Sequence, residues 1–144
     1  MYPQTKLIGV AGVSVTNGGT ATAVFDTLGA RRLMIDVIAA TSNTPSNKPS
    51  VLKLSESATT DATNYSDITA FVGGGAGGFT IPNADSSNVN CYKFNVDLRG
   101  RKRYIKATFS PVTTQIVAFA GNLFKNEQAP VDTTKAGVLA LVEG

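Results

Sequence analysis

The chain has 144 residues, and its composition is that of one globular domain, since 42% of the residues are hydrophobic and only 16% are charged. Thirteen basic and ten acidic residues leave a formal net charge of +3, which is too small to indicate nucleic acid by itself. The lack of histidine and the single cysteine, Cys91, argue against a zinc site, an internal disulfide and a histidine-dependent triad.

The N-terminus has no basic segment followed by a long apolar stretch, and no apolar run approaches the ~20 residues that a membrane helix needs. The chain is therefore expected to have no membrane partner. It is expected to stay in the reducing cytoplasm of the cell that makes it until it joins an assembly. Cys91 is interpreted as a small core or edge residue rather than a reactive thiol.

The first half of the chain alternates strand-like runs with turn-forming clusters. Asn17 and Gly18 predict a turn, because both residue types tolerate positive φ. Residues 61–72 allow either a short strand at 68–72 or one helical turn near 64–67. Alternating apolar and polar side chains predict four further strands, at residues 7–15, 21–28, 32–41 and 51–57.

The second half repeats this pattern with clearer alternation. A run at residues 92–98 places Tyr92, Phe94, Val96 and Leu98 on one face, and a returning strand is expected around residues 105–109. Residues 115–124 are almost wholly apolar and predict a strand buried on both faces. Residues 137–142 predict a final short strand.

Together these runs predict an all-β, antiparallel fold of about eight strands, a jelly-roll-like β-sandwich or barrel. The jelly roll is favoured because its long connections accommodate the proline-rich and glycine-rich loops. The whole chain, residues 1–144, is expected to form a single β domain, with residues 1–6 and 126–144 as extended terminal arms.

No residue set predicts catalysis, cofactor binding or metal binding. The acidic residues are scattered along the chain, as expected of solvated surface charge. Gly73, Gly75 and Gly78 match the spacing of a nucleotide-binding loop, but the extended segment 79–82 follows them where a phosphate site needs a helix N-terminus. The chain is therefore not expected to be an enzyme.

The strongest charge feature is a basic segment that holds Arg99, Arg101, Lys102 and Arg103 between two predicted strands. One interpretation is an electrostatic contact to an acidic partner. The other is a solvated turn in which Arg103 pairs with a carboxylate such as Asp97 across the ladder. Nucleic acid is disfavoured as the partner, because no aromatic residues are interleaved for base stacking.

The C-terminal segment is polar over residues 126–136 and then small and apolar over residues 136–142. Such an arm can add a strand to the sheet edge of a neighbouring protein, or it can pack on its own domain. On the first interpretation Val138, Leu139 and Leu141 are candidate contact residues.

Several segments carry a resemblance to known proteins: KLIGVAG at 6–12, SNT at 42–44, KPSVLKLSES at 48–57, FTIP at 79–82, FNVDLRGRKRY at 94–104, EQAP at 127–130 and the closing residues 137–144. Through these segments the chain resembles small virion proteins of tailed phages and prophages, in particular head decoration (cement) proteins. The segments are spread over nearly the full length of the chain. The motifs are scaffold-like and carry no chemistry.

The resemblance implies a protein on the capsid exterior of the virion that binds the major capsid protein, forms a homo-oligomer such as a trimer, and stabilises the assembled head. Arg101, Lys102 and Arg103, with one terminal arm, would contact the capsid. Two alternatives stay open: a tail or head–tail joining protein, and a carbohydrate-binding β-sandwich for host adsorption. The second usually needs an exposed aromatic platform, and the chain has no Trp and four Tyr, of which Tyr92 and Tyr104 are expected to be packed.

Overall fold

The structure is a computed structural model, and it describes residues 5–41, 47–125 and 140–144. Nine strands in these residues form two sheets that pack face to face, and one turn of 3-10 helix spans Ala62–Asn64. The predicted all-β sandwich is therefore confirmed. The strands are β1 (Thr5–Val15), β2 (Ala21–Asp26), β3 (Arg32–Ala39), β4 (Val51–Ser57), β5 (Ser66–Val72), β6 (Asn90–Asp97), β7 (Tyr104–Ser110), β8 (Gln115–Phe124) and β9 (Ala140–Glu143).

The strand order is β1-β8-β3-β6-β9 in the five-stranded sheet and β2-β7-β4-β5 in the four-stranded sheet. Four antiparallel pairs nest inside one another along the chain: β1 with β8, β2 with β7, β3 with β6, and β4 with β5. This nesting is consistent with a jelly roll, which itself stays a prediction. One edge departs from the antiparallel expectation, because β9 pairs with β6 in parallel.

The core lies between the sheets and is filled by alternate side chains of the strands. The predicted inward face of β6 is confirmed, since Tyr92, Phe94 and Val96 are fully buried or nearly so. Phe94 makes edge-on ring contacts with Phe71 at 6.0 Å and with Phe79 at 5.6 Å. Each large apolar side chain buried in this way contributes about 1.5–3 kcal/mol to folding.

Two sequence predictions need correction. Strand β8 is not buried on both faces, because its exposure alternates along the strand and Ile116 on the outer face is 58% exposed. The sequence of β8 is almost uniformly apolar because the outward positions include Ala118 and Ala120, which are apolar but only partly buried. Residues 61–72 hold both predicted alternatives, since the strand Ser66–Val72 follows a helical turn that lies slightly earlier than expected.

The loops gather at two ends of the sandwich. One end of the sandwich, which we call the basic end, holds the β2–β3, β4–β5 and β6–β7 loops. It also holds Lys125, the residue that follows β8. There Leu98 N–H donates to Arg31 O at 2.9 Å and Lys102 N–H donates to Glu56 Oε2 at 3.0 Å. The other end, the neutral end, holds the β1–β2, β3–β4, β5–β6 and β7–β8 connections.

Candidate protein-binding surface

The four predicted contact cations lie in the loop that joins β6 to β7, which we call the basic loop (residues 98–103). A turn shapes this loop: Arg101 N–H donates to Leu98 O at 3.1 Å, and Gly100 has a φ of 75°, which favours glycine. Thr27 fastens the loop from the neighbouring β2–β3 connection, since its N–H and its hydroxyl donate to Arg103 O at 3.0 and 2.6 Å. The basic loop therefore has a fixed conformation.

Two of the four cations are committed to internal ion pairs. Arg99 Nη2 and Nε donate to Asp97 Oδ2 at 2.6 and 3.0 Å. Arg103 donates to both oxygens of Asp26, at 2.8 and 2.7 Å. The suggested Arg103–Asp97 pairing is wrong because β6 and β7 lie in different sheets and share no ladder, whereas β2 is the ladder neighbour of β7.

These pairs change the protonation equilibria of their members. Hydrogen bonds from the Arg99 side chain, followed by the Arg99 backbone N–H, lower the pKa of Asp97 from 3.8 to about 2. The hydrogen bonds to Asp26 raise the pKa of Arg103 above its ordinary value. Both pairs are solvent-exposed, so their main effect is to fix the shape of the basic loop rather than to stabilise the fold strongly.

Arg101 and Lys102 behave differently from their neighbours. Their side chains have no ion pair or hydrogen bond among the residues that the structure describes, although the backbone of Lys102 is held by Glu56. Lys102 is exposed and Arg101 is partly exposed. Of the predicted contact set, these two are the cations that remain available to a partner.

Unlike Arg101 and Lys102, the described carboxylates have partners within the chain. Every acidic side chain that the structure describes is engaged within the chain: Asp26 with Arg103, Asp36 with Lys93, Glu56 with Lys102 N–H, Asp61 with Thr63, Asp67 with Lys53, Asp85 with Ser87 and Asn88, and Asp97 with Arg99. In the same residues the charged side chains without a partner are cations: Lys48, Arg101, Lys102 and Lys125. All of these except Lys48 lie at the basic end.

The predicted contact residues of the tail are only partly placed. Val138 and Leu139 lie outside the described residues, and Leu141 is opposite Lys93 in the β6–β9 ladder. Val142 is 8% exposed and belongs to the core. Residues 140–144 therefore follow the alternative in which the tail packs on its own domain.

A second surface lies on the outer face of the five-stranded sheet, near the neutral end. Three large apolar side chains are exposed there: Ile38 (38%), Ile116 (58%) and, just before β6, Val89 (60%). Cys91 is the ladder partner of Ile38, and burial, followed by the negative charge of Asp36, raises the pKa of its thiol. The raised pKa agrees with the interpretation of Cys91 as a structural residue.

The neutral end also contains a shallow cleft of ≈ 420 Å³. Pro49, Gly73, Ile81 and Val112 are among its lining residues, and Lys48 provides its charge. Within the described ranges, no three Cys, Asp or Glu side chains come together in a way that could hold a metal ion. The cleft therefore offers shape and one cation, without a cluster of polar groups that converge on a ligand.

Comparison with models of protein families finds no match to this chain, and comparison with curated proteins finds no significant match. No helix in the described part of the chain is long and apolar enough to cross a membrane.

Proposed function

We propose that this chain is a decoration protein that binds the exterior of an assembled phage head and stabilises it. The resemblance of its sequence segments to virion decoration proteins supports this function. The cations at the basic end that have no partner among the described residues support the mode of binding, in which Arg101, Lys102 and Lys125 face acidic groups of the major capsid protein.

The observation that carries the proposal is the one-sided distribution of unengaged charge. Among the described residues, the charged side chains without a partner are cations, and three of the four lie at the basic end; such an end attracts an acidic surface more strongly than a basic one. A protein that binds the assembled lattice and not the free subunits shifts assembly toward the shell by mass action. Repetition at many symmetric sites makes the total stabilisation large even when each contact is weak.

Self-association is part of the proposal. The uncharged patch of Ile38, Val89 and Ile116 supports contact between copies of this chain, because exposed apolar clusters commonly mark protein interfaces. A homotrimer would present three basic ends to the head at once, and its avidity would exceed the affinity of one contact. We also propose that the sandwich is a jelly roll, which the nested strand pairing supports.

Sedimentation with heads that lack the protein tests the proposed function. The variant Arg101→Ala/Lys102→Ala removes two of the three available cations at the basic end, and we expect its occupancy on heads to fall and to depend less on salt than that of the unmodified chain. Lys48→Ala is the matched control, since it removes an unpaired cation at the neutral end and should leave occupancy unchanged. Undiminished occupancy of the double variant would remove the basic end from the account.

A further inference from the structure

The basic end also carries an exposed apolar side chain. Leu28, in the loop between β2 and β3, is 72% exposed, the highest value among the large hydrophobic residues that the structure describes as exposed. Single exposed apolar residues are common on protein surfaces. Leu28 differs from them because a hydrogen-bonded turn holds its backbone and because it lies beside the basic loop.

A tight turn holds the backbone at Leu28. Ala30 N–H donates to Thr27 O at 3.0 Å, and Gly29, at the third position of the turn, has a φ of 80° that residues with a Cβ rarely adopt. Leu28 N–H donates to Asp26 Oδ1 at 3.1 Å. The side chain therefore projects from an ordered backbone, and little conformational freedom of the chain would be lost when it binds.

The same hydrogen bonds connect Leu28 to the basic loop. Asp26 accepts from Leu28 N–H and from the guanidinium of Arg103. Thr27, the residue before Leu28, donates twice to Arg103 O, and Leu98 N–H donates to Arg31 O on the other side of the turn. Leu28 and the loop that bears Arg101 and Lys102 thus belong to one hydrogen-bonded unit.

We propose that Leu28 is the apolar anchor of the basic end, and that its partner offers an apolar pocket rimmed by carboxylates. An apolar side chain that enters a pocket within a ring of charged contacts is the usual arrangement of a protein interface, with a dry centre and a polar rim. This inference rests on the proposed function and specifies the chemistry of the capsid surface that the basic end would meet.

The test compares three variants for binding to heads that lack the protein, at several salt concentrations. Leu28→Ala should weaken binding about tenfold at every salt concentration, because it removes apolar contact and no charge. Leu28→Met, which keeps an apolar side chain, should bind within a few-fold of the unmodified chain. Val24→Ala, which shortens an exposed valine on the outer face of the four-stranded sheet, should leave this binding unchanged.

The outcomes separate this inference from the proposed function. If Leu28→Ala binds as well as the unmodified chain while Arg101→Ala/Lys102→Ala binds weakly, the anchor is overturned and the proposed function stands. If neither variant loses binding, the anchor and the proposed contact through the basic end are both overturned. If the unmodified chain does not bind heads, the proposed function is overturned. Leu28 lies outside the core cluster, so the urea unfolding midpoint of Leu28→Ala should match that of the unmodified chain and exclude misfolding as the cause.

Discussion

Gly121 of β8 lies against the ring of Phe25, which comes from the opposite sheet. A Cβ at Gly121 would lie 2.5 Å from Phe25 Cε1 and 3.4 Å from Leu33 Cδ1, and both neighbours are fully buried. Packing between the two sheets therefore favours glycine at this position, because Phe25 is fully buried and an added Cβ would overlap its ring.

Gly121→Ala is expected to lower the free energy of unfolding by about 1–3 kcal/mol through overpacking. Gly9→Ala is the matched control, since Gly9 lies on the adjacent strand β1 and a Cβ added there would have no neighbouring atom within 4 Å. Its effect should stay within about 0.5 kcal/mol. Urea unfolding of both variants gives the comparison, and equal midpoints would contradict the close packing of Gly121.

Asp97 allows a prediction about pH. Its pKa in the folded chain is about 2, below the ordinary 3.8, so the stability that it contributes is present above about pH 4 and is lost as the pH falls toward 2. In Arg99→Ala the pKa should rise toward 3.8 but stay below it, because the backbone N–H of residue 99 still donates. Carboxyl NMR titration measures this shift, and a pKa that stays at about 2 would rule out the Arg99 side chain as its main cause.

At the scale of elements, β9 completes the edge of the five-stranded sheet. Asp97 N–H donates to Gly144 O at 2.7 Å and Gly144 N–H donates to Asn95 O at 3.2 Å, so the ladder continues beyond the strand itself. Val142 lies opposite Phe94 and joins the core. The β9 segment thus contributes to the stability of its own domain.

Val142→Ala should lower the free energy of unfolding by about 1–2 kcal/mol, because it removes two buried methyl groups. Val89→Ala, at an exposed valine, should change it by less than about 0.5 kcal/mol. Urea unfolding should give the same loss at low and high protein concentration. A loss that depended on concentration would show that β9 is donated to a neighbouring chain.

The sequence predicted those elements in which side-chain alternation is long and clear. The inward faces of β2, β3 and β6 follow directly from period-two patterns, and the structure confirms them. The four residues of β9 are too few to show a period, so neither its bounds nor its parallel pairing could be predicted. The predicted strand at 21–28 included Leu28, so the sequence did not indicate that this residue lies in an exposed turn. Asp26 and Gly29 are the local turn signals that could have ended the predicted strand sooner.

At the scale of the whole molecule, the net charge of +3 was known from composition, but its distribution was not. The Arg103–Asp26 pair joins residues that are 77 positions apart, so sequence alone could not show which cations are neutralised. Arg101 and Lys125 follow different strands and lie at the same end only because the nested pairing places their loops there. The fold therefore reduces a cluster of four predicted contacts to two available cations at a defined end.

We propose that the basic end of the sandwich faces the capsid. A cryo-EM map of the phage head with this protein bound tests it most directly. We expect copies over the whole shell, each with the basic loop and Leu28 at the contact and the neutral end directed outward. A map with the neutral end at the shell, or with copies confined to a single ring at the tail, would contradict it.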